Sequence, residues 1–492
     1  MNGPPGADRH TLDLAIIGAG PAGLAAAVTA SELGLATAVF DEQFHPGGQI
    51  YRAIEDAPER AGAWLTLFGE DYARGLELVR RFRASTANYH TGHSVFDISP
   101  GGGLGVLGPD GARWIEARRV IIATGAMERP VAVPDWTLPG VMGAGAAQTL
   151  LKGAAMVPEG RTVIAGSGPL IYLVARQLRA AGGNIVAVID TTPRSNYRRA
   201  APLLARAMLA GNKEIRKGLS WRRDLKKATP IFRTGASGVR IEGRDAVEAI
   251  SFSVAGRTER VECDLVLLHE GVVPNTQLAM AAGADHHYDL VQACWRPKTD
   301  AYGRSSDPAI LIAGDGAGIG GAELASEAGH LAALGVAADL SQISQEDAAE
   351  RAAPAFSKLA GKAALRRFLD TLYQPRDEVL VPPDDETLIC RCEEVTAGEL
   401  RRVAEMGCSG PNQAKAFTRC GMGPCQGRMC GLAAAAVLAR ASGRSFAEVG
   451  HMRVRPPIKP ITVGELAALD GVGQPPDMGP LLPTGQEDGA GE

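Results

Sequence analysis

The chain alternates short apolar runs with helical stretches, and glycine turns separate several of these pairs. Residues 13–17 (DLAII) read as a strand, residues 21–33 as an alanine-rich helix, and residues 36–40 as a second strand ending at Asp41. Further apolar runs occupy 120–122, 162–165 and 311–313, each leading toward a glycine turn. The pattern predicts an α/β chain built from strand–turn–helix units. The apolar stretch 14–30 is long enough to imitate a membrane span. Gly18, Gly20, Pro21 and Gly23 interrupt it, so strand, turn and helix explain it better, and no transmembrane segment is expected.

Beyond His330 the sequence becomes rich in alanine and serine, with helical composition, as far as a linker carrying Pro375, Pro382 and Pro383. Thr396 is followed three residues later by Glu399, the signature of a capping box at a helix start. Residues 453–460, with Pro456, Pro457 and Pro460, read as extended chain lying over a surface. Residues 471–492, rich in glycine, proline and acids, read as a flexible tail.

Composition narrows the class. A chain of 492 residues, 45% hydrophobic, can fill roughly two to four domains. Its formal net charge of -4 gives no whole-chain attraction to nucleic acid. Met1 to His10 lacks a basic region followed by an apolar stretch, so no secretory leader and a cytosolic location are expected. Six of the eight cysteines fall late, at Cys390, Cys392, Cys408, Cys420, Cys425 and Cys430. Such clustering without a leader favours metal binding over disulfides. Cys263 and Cys294 stand singly among apolar residues and read as buried structural thiols.

The first glycine turn, Gly18-Ala19-Gly20-Pro21-Ala22-Gly23, has the spacing G-x-G-x-x-G. Gly18 permits the tight turn, Gly20 lets the backbone approach a pyrophosphate, and Gly23 lets the helix pack close to the strand. The helix N-terminus offers free N–H groups and a positive dipole end to the phosphates. Asp41, at the end of the second strand, is placed to accept from ribose hydroxyls. A glycine motif alone is weak; combined with strand, helix and terminal acid it is strong.

These residues resemble the flavoproteins with two dinucleotide-binding domains, of the glutathione- and thioredoxin-reductase type. Pro46-Gly47-Gly48-Gln49 resembles the loop that approaches the flavin, Val120 to Gly125 the strand and turn closing the first FAD segment, and Leu311 to Gly316 the late motif whose aspartate binds the ribityl chain. The resemblance implies FAD rather than NAD in the first site. It assigns cofactor contacts to Gly18, Gly20, Pro21, Ala22, Gly23, Asp41, Glu42, Gly48, Gln49, Ala123, Thr124, Gly125, Gly314 and Asp315. No C-x-x-C or C-x4-C pair occurs before Arg260, so a redox disulfide at the flavin is not expected.

A second unit, 161–165 followed by Gly166-Ser167-Gly168-Pro169-Leu170-Ile171, carries Ile171 at the third glycine position. A branched side chain there pushes the helix away from the turn and crowds the phosphate approach. Asp190, ending the next strand, is available to a ribose. The fold is expected, while NAD, ATP or no nucleotide all remain open.

In the late segment, a C-x-C pair and a later C-x4-C pair supply four soft ligands for zinc or a [2Fe–2S] cluster. Cys420, Cys425 and Cys430 are evenly spaced, so two late pairs are available. The unit is similar to the bacterioferritin-associated-ferredoxin type of [2Fe–2S] domain, with Met422 at one usual cysteine position. A variant of that domain in amine-oxidising flavoprotein subunits implies Cys390, Cys392, Cys425 and Cys430 as metal ligands, with Cys420 the alternative to Cys430. Cys408 reads as a small core residue.

The order of these motifs over nearly the whole chain resembles the large (alpha or A) subunits of opine oxidases, D-hydroxyproline dehydrogenase and hydrogen cyanide synthase. The stretch from Leu138 to Thr149 adds a family-like segment. The resemblance implies two Rossmann-like domains and a small [2Fe–2S] domain. It divides the chain into a flexible start (1–10), an FAD domain (11–150 and 262–340), an inserted nucleotide-binding-like domain (151–261), a helical linker (341–385), the [2Fe–2S] domain (386–450) and a partly flexible tail (451–492). It further implies a flavoprotein (beta) partner that oxidises an amine or amino acid, from which this chain relays electrons. A small ferredoxin-like third subunit and an FMN at a subunit contact are weaker implications. A self-contained NAD(P)H-dependent reductase of a ferredoxin-like acceptor is the alternative. No Ser/His/Asp arrangement or catalytic carboxylate pair is evident, and no catalytic residue is assigned.

Overall fold

The computed structural model describes residues 12–57 and 62–469; the expectations for 1–10 and 471–492 fall outside the described residues. The first strand, Leu12–Ile17, lies between Thr37–Asp41 and the C-terminal half of Gly111–Ile122, parallel to both, with Ile16 level with Val39 and Ile121. Asn88–Thr91 extends the sheet on one side, and Ile310–Ile312 joins the end of Gly111–Ile122. The first half of that long strand pairs antiparallel with Gly103–Gly108, which pairs in turn with Ser94–Ile98.

The unbroken apolar reading of the first strand has a direct cause. Leu14 and Ile16 enter one core with Leu24 and Val39, while Ala15 and Ile17 enter another with Phe40 and Ile310. Both faces of the strand are therefore covered, and no polar alternation is tolerated. Helix Pro21–Glu32 follows the turn and buries its alanines against helix Ala322–Asp339. The stretch 14–30 is thus strand, turn and helix, as its glycines require. Among the described residues no helix is long and apolar enough to cross a membrane.

A second, fully parallel sheet has the order Ile231–Thr234, Ile185–Asp190, Thr162–Ser167, Leu265–Glu270, Val141–Gly143. It draws strands from both sides of residues 151–261, because Leu265–Glu270 pairs directly with Thr162–Ser167. A three-stranded meander, Ser237–Gly243, Val247–Val254 and Arg257–Glu262, packs its apolar face on this sheet through Ile250 and Phe252. Ala126–Glu128 and Val272–Pro274 pair antiparallel where the chain passes out of and back into the first domain.

The alanine-rich sequence after His330 continues helix Ala322–Asp339 and then forms Gln345–Leu372, whose Phe368 and Leu372 pack on Ala200 and Ala207. The last unit has its own core of Ile389, Leu400, Val403, Val437 and Leu438. Its helix Ala397–Glu405 starts in the expected capping box: Thr396 Oγ1 accepts from the Glu399 N–H at 3.2 Å, and Glu399 Oε2 accepts from the Thr396 N–H at 2.8 Å. The extended segment after it runs over the chain's own first domain. Val454 and Ile458 are buried there, and the Ile458 N–H donates to the Phe96 carbonyl at 2.8 Å.

Candidate cofactor site

The C-terminal ends of the parallel strands open onto a cavity of about 880 Å³. Gly18, Gly20, Pro21, Ala22, Asp41, Glu42, Gly48, Gln49, Ala123, Thr124, Gly125 and Asp315 all line it, so the sequence motifs converge on one space. Two expected contacts, Gly23 and Gly314, lie behind the wall. At Gly23 a side chain would run into the Gly18 carbonyl, so that glycine serves the close seating of the helix. Gly18 itself has φ +104°, and a Cβ there would sit 2.6 Å from the Ala123 carbonyl oxygen.

The loop is preorganised from below. Asp41 Oδ2 accepts from the Ala19 N–H at 2.5 Å, and Oδ1 accepts from the Gln43 N–H at 2.6 Å. Burial pushes the Asp41 carboxyl above its usual range, and these two bonds oppose the shift. No side chain caps helix Pro21–Glu32, whose first turn faces the cavity through Pro21 and Ala22. Asp315 Oδ1 accepts from the N–H groups of Gly320 and Gly321 at 2.8 and 2.9 Å, fixing the late motif beside the helix Ala322–Asp339. A cavity with a glycine-walled, uncapped helix end and the carboxylates of Asp41 and Asp315 on its wall fits a dinucleotide such as FAD.

Sequence reasoning missed three cavity-lining side chains that come from far along the chain or from between the domains. Glu128 accepts from the Gly145 N–H at 3.0 Å and lies 2.6 Å from His269 Nδ1, coupling the two domains. Lys459 pairs with Glu42 at 2.7 Å, and Arg428 enters from the cysteine-rich loop. No local pattern announces them: Glu128 is brought in by the crossing between the first two domains, and Arg428 and Lys459 by the return of the last domain onto the first.

The second glycine turn differs. Ile171 is fully buried in the core against its sheet. Asp190 is fully buried too: its Oδ2 accepts from the Tyr172 hydroxyl at 2.7 Å and its Oδ1 from the Thr192 N–H at 2.8 Å. The expectation that Asp190 is available to a ribose is corrected by this geometry. Ser167 Oγ lies 3.1 Å from Thr192 Oγ1, so the turn's own hydroxyl is also engaged.

Five cysteines meet in the last domain. The sulfurs of Cys390, Cys420 and Cys430 lie within 4.8 Å of one another, all buried. Cys392 and Cys425 fall outside that group but face each other, and both are more accessible. Thiol donation from Cys420 and Cys430 holds Cys390 far below the usual thiol range, and the N–H groups of Gly421 and Glu393 add to it. Cys420 is pushed up to about 12, first by its bond to Cys390. One sulfur held as thiolate among other thiols, with backbone N–H groups aimed at it, suits a thiophilic metal centre. Cys263 and Cys294 are buried, and desolvation raises each to about 11, which leaves them inert. Cys408 is buried in the last core, its thiol donating to the Gly410 carbonyl at 3.4 Å.

The fold and the glycine-walled cavity define a flavin-dependent oxidoreductase, and residues 12–332 match the pyridine nucleotide-disulphide oxidoreductase family model. Residues 385–470 match the sarcosine oxidase A3 domain. The chain is 41% identical over 471 residues to the A-subunit of opine oxidase from Agrobacterium tumefaciens, covering 93% of this chain and 92% of that one. It is 33% identical to hydrogen cyanide synthase subunit HcnB of Pseudomonas aeruginosa, covering 91% of this chain and 96% of the relative. The crystal structure of L-proline dehydrogenase from P. horikoshii shares the fold, with a TM-score of 0.69 at 20% identity over 93% of this chain and 79% of that chain. The chain belongs to the family that contains the A-subunit of opine oxidase and hydrogen cyanide synthase subunit HcnB. Its relatives are named as subunits of multi-subunit enzymes, so partner subunits are implied here as well.

Proposed function

We propose that this chain is the FAD- and [2Fe–2S]-carrying electron-transfer subunit of a heteromeric dehydrogenase or oxidase that acts on an opine, another secondary amine or an amino acid. The observation that carries the reading is the shared wall: Arg428, between Cys425 and Cys430, lines the same cavity as Gly18 and Gly20. A metal centre on that loop stands next to the flavin site. Among the described residues, no cysteine lines the cavity itself.

FAD exchanges electrons in pairs or singly, and a [2Fe–2S] centre exchanges them singly, so together they link a two-electron oxidation to one-electron carriers. The chain's own residues hold and shield these groups. Asp41, Glu42 and the Gly18–Gly20 turn would hold the adenosine and diphosphate, and Asp315 with Gln49 would hold the flavin end. Cys390, Cys392, Cys425 and Cys430 are the proposed iron ligands; Cys390 and Cys430 lie together and Cys392 faces Cys425, while Cys420, in the same buried group as Cys390 and Cys430, is the alternative to Cys430. The N–H groups of Gly421 and Glu393 would tune the sulfur of Cys390.

The test is anaerobic co-purification with the neighbouring gene products, followed by iron, sulfide and flavin analysis and a screen of secondary amines with a dye acceptor. The expected result is FAD and two irons per chain, and dye reduction only when a flavoprotein partner is present. Zinc in place of iron, or full turnover by the isolated chain with NADH, would overturn it.

A further inference from the structure

Two segments of the last domain reach into the flavin cavity, and they bring charge with them. Arg428 sits on the loop whose ends are Cys425 and Cys430, and its buried Nε has no hydrogen-bond partner among the described residues. The segment after that domain lays Ile458 and Lys459 on the cavity rim, where Lys459 pairs with Glu42, next to Asp41. The other cavity guanidinium, Arg52, donates through its two Nη groups to Gln43 and Gln49, although its Nε too has no hydrogen-bond partner among the described residues. Lys459 is neutralised by Glu42. Among the described residues Arg428 is the one of these three cations whose side chain makes no hydrogen bond or ion pair, and it lines the same cavity as a glycine turn that suits a doubly anionic diphosphate.

We infer that Arg428 is an FAD-binding residue delivered by the cysteine domain of the same chain, its guanidinium serving as counter-charge to the cofactor's diphosphate. FAD retention is then a property of both domains, and the cysteine loop is part of the flavin site. Leaving the buried Nε without an acceptor is costly, and an anion within its reach removes that cost. The backbone supports the placement. The Arg428 N–H donates to the Cys425 carbonyl at 3.0 Å, and the Gly431 N–H to the Gly427 carbonyl at 2.7 Å, so backbone bonds hold the turn that carries Arg428. The inference rests on the FAD reading of the cavity and adds a residue to it.

The experiment titrates the apo full-length chain with FAD, ADP and AMP, for wild type, Arg428→Ala and Arg428→Lys, following flavin fluorescence and competition. Iron content and circular dichroism report whether the last domain is intact. The expected result is a rise of about tenfold or more in the Kd for FAD and ADP in R428A, with AMP, which has no diphosphate, changed less than about twofold. R428K should recover part of the loss, because a lysine keeps the charge without the fork. An R428A chain with intact iron content that binds FAD within about twofold of wild type overturns the proposal, as does an equal loss for ADP and AMP, which marks a structural role. A wild-type chain that binds no FAD overturns the cavity reading itself, a result separable from both.

Discussion

The Tyr172 hydroxyl donates to Asp190 Oδ2 at 2.7 Å, inside a pocket closed to solvent. This bond consumes the acid that, in a nucleotide-binding unit of this topology, would meet a ribose. The second domain keeps the architecture of a nucleotide site while its carboxylate faces inward.

The first prediction follows from that bond. NADH and NADPH should leave the visible flavin band of the anaerobic holoprotein unchanged over minutes. Tyr172→Phe should lower stability by about 1.5–3 kcal/mol, as a buried carboxylate loses a donor, without creating nicotinamide reduction. Rapid bleaching of wild type by NADH is the result that would count against it.

Asp41 offers a second test. Asp41→Ala removes the acceptor of the Ala19 N–H and the carboxylate offered to the ribose together. Loss of a charge-assisted bond of this kind is worth about 1.5–3 kcal/mol, so the Kd for FAD should rise by roughly tenfold to a hundredfold. Equilibrium titration of the apo chain reads this directly, and an unchanged Kd would remove Asp41 from the site.

Serine scanning separates the cysteines. Cys390→Ser, Cys392→Ser, Cys425→Ser and Cys430→Ser should each abolish the iron signal, while Cys420→Ser should keep most of it. Iron analysis and electron paramagnetic resonance after dithionite reduction give the answer. Retention by C430S with loss in C420S would instead select Cys420 as the fourth ligand.

Glu270 carries a pH signature. Complete burial pushes its carboxyl up to about 7, against which the Thr191 hydroxyl bond and Arg129 pull down. The folded chain therefore holds a proton that the unfolded chain releases above about 4.5, and this group's contribution falls as pH rises from there to 7. Relative to wild type, Glu270→Gln should gain stability progressively across that window, on the order of 2–3 kcal/mol, and then level off. Denaturant melts at several pH values measure the difference; a flat difference would contradict the buried, protonated carboxyl.

What the sequence reveals depends on how local the constraint is. Gly18 and Asp41 are legible because a turn with positive φ and an acid at a strand end are demanded by neighbouring backbone. The Thr396–Glu399 box is legible for the same reason, since both partners lie within one turn. The fate of Asp190 is not, because nothing in its own strand tells whether Tyr172 will reach it. Arg428 and Lys459 are hidden more deeply, as their role arises only when the last domain folds back on the first. The late cysteines point to a metal centre, but the even spacing of Cys420, Cys425 and Cys430 conceals which of them would serve, a question of three-dimensional pairing.

The split wall of the cavity also sets an order of events in the cell. Strand Leu12–Ile17 and its glycine turn leave the ribosome early, yet Asp315, Arg428 and Lys459, all on the cavity wall, are made hundreds of residues later. At about 5–20 residues per second, that interval lasts tens of seconds. Throughout it the nascent strand lacks the neighbour Ile310–Ile312 and the turn lacks its distant cation. The wall of the cavity is complete only once the last domain has been made, so on the proposed reading flavin capture would follow synthesis of the cysteine loop.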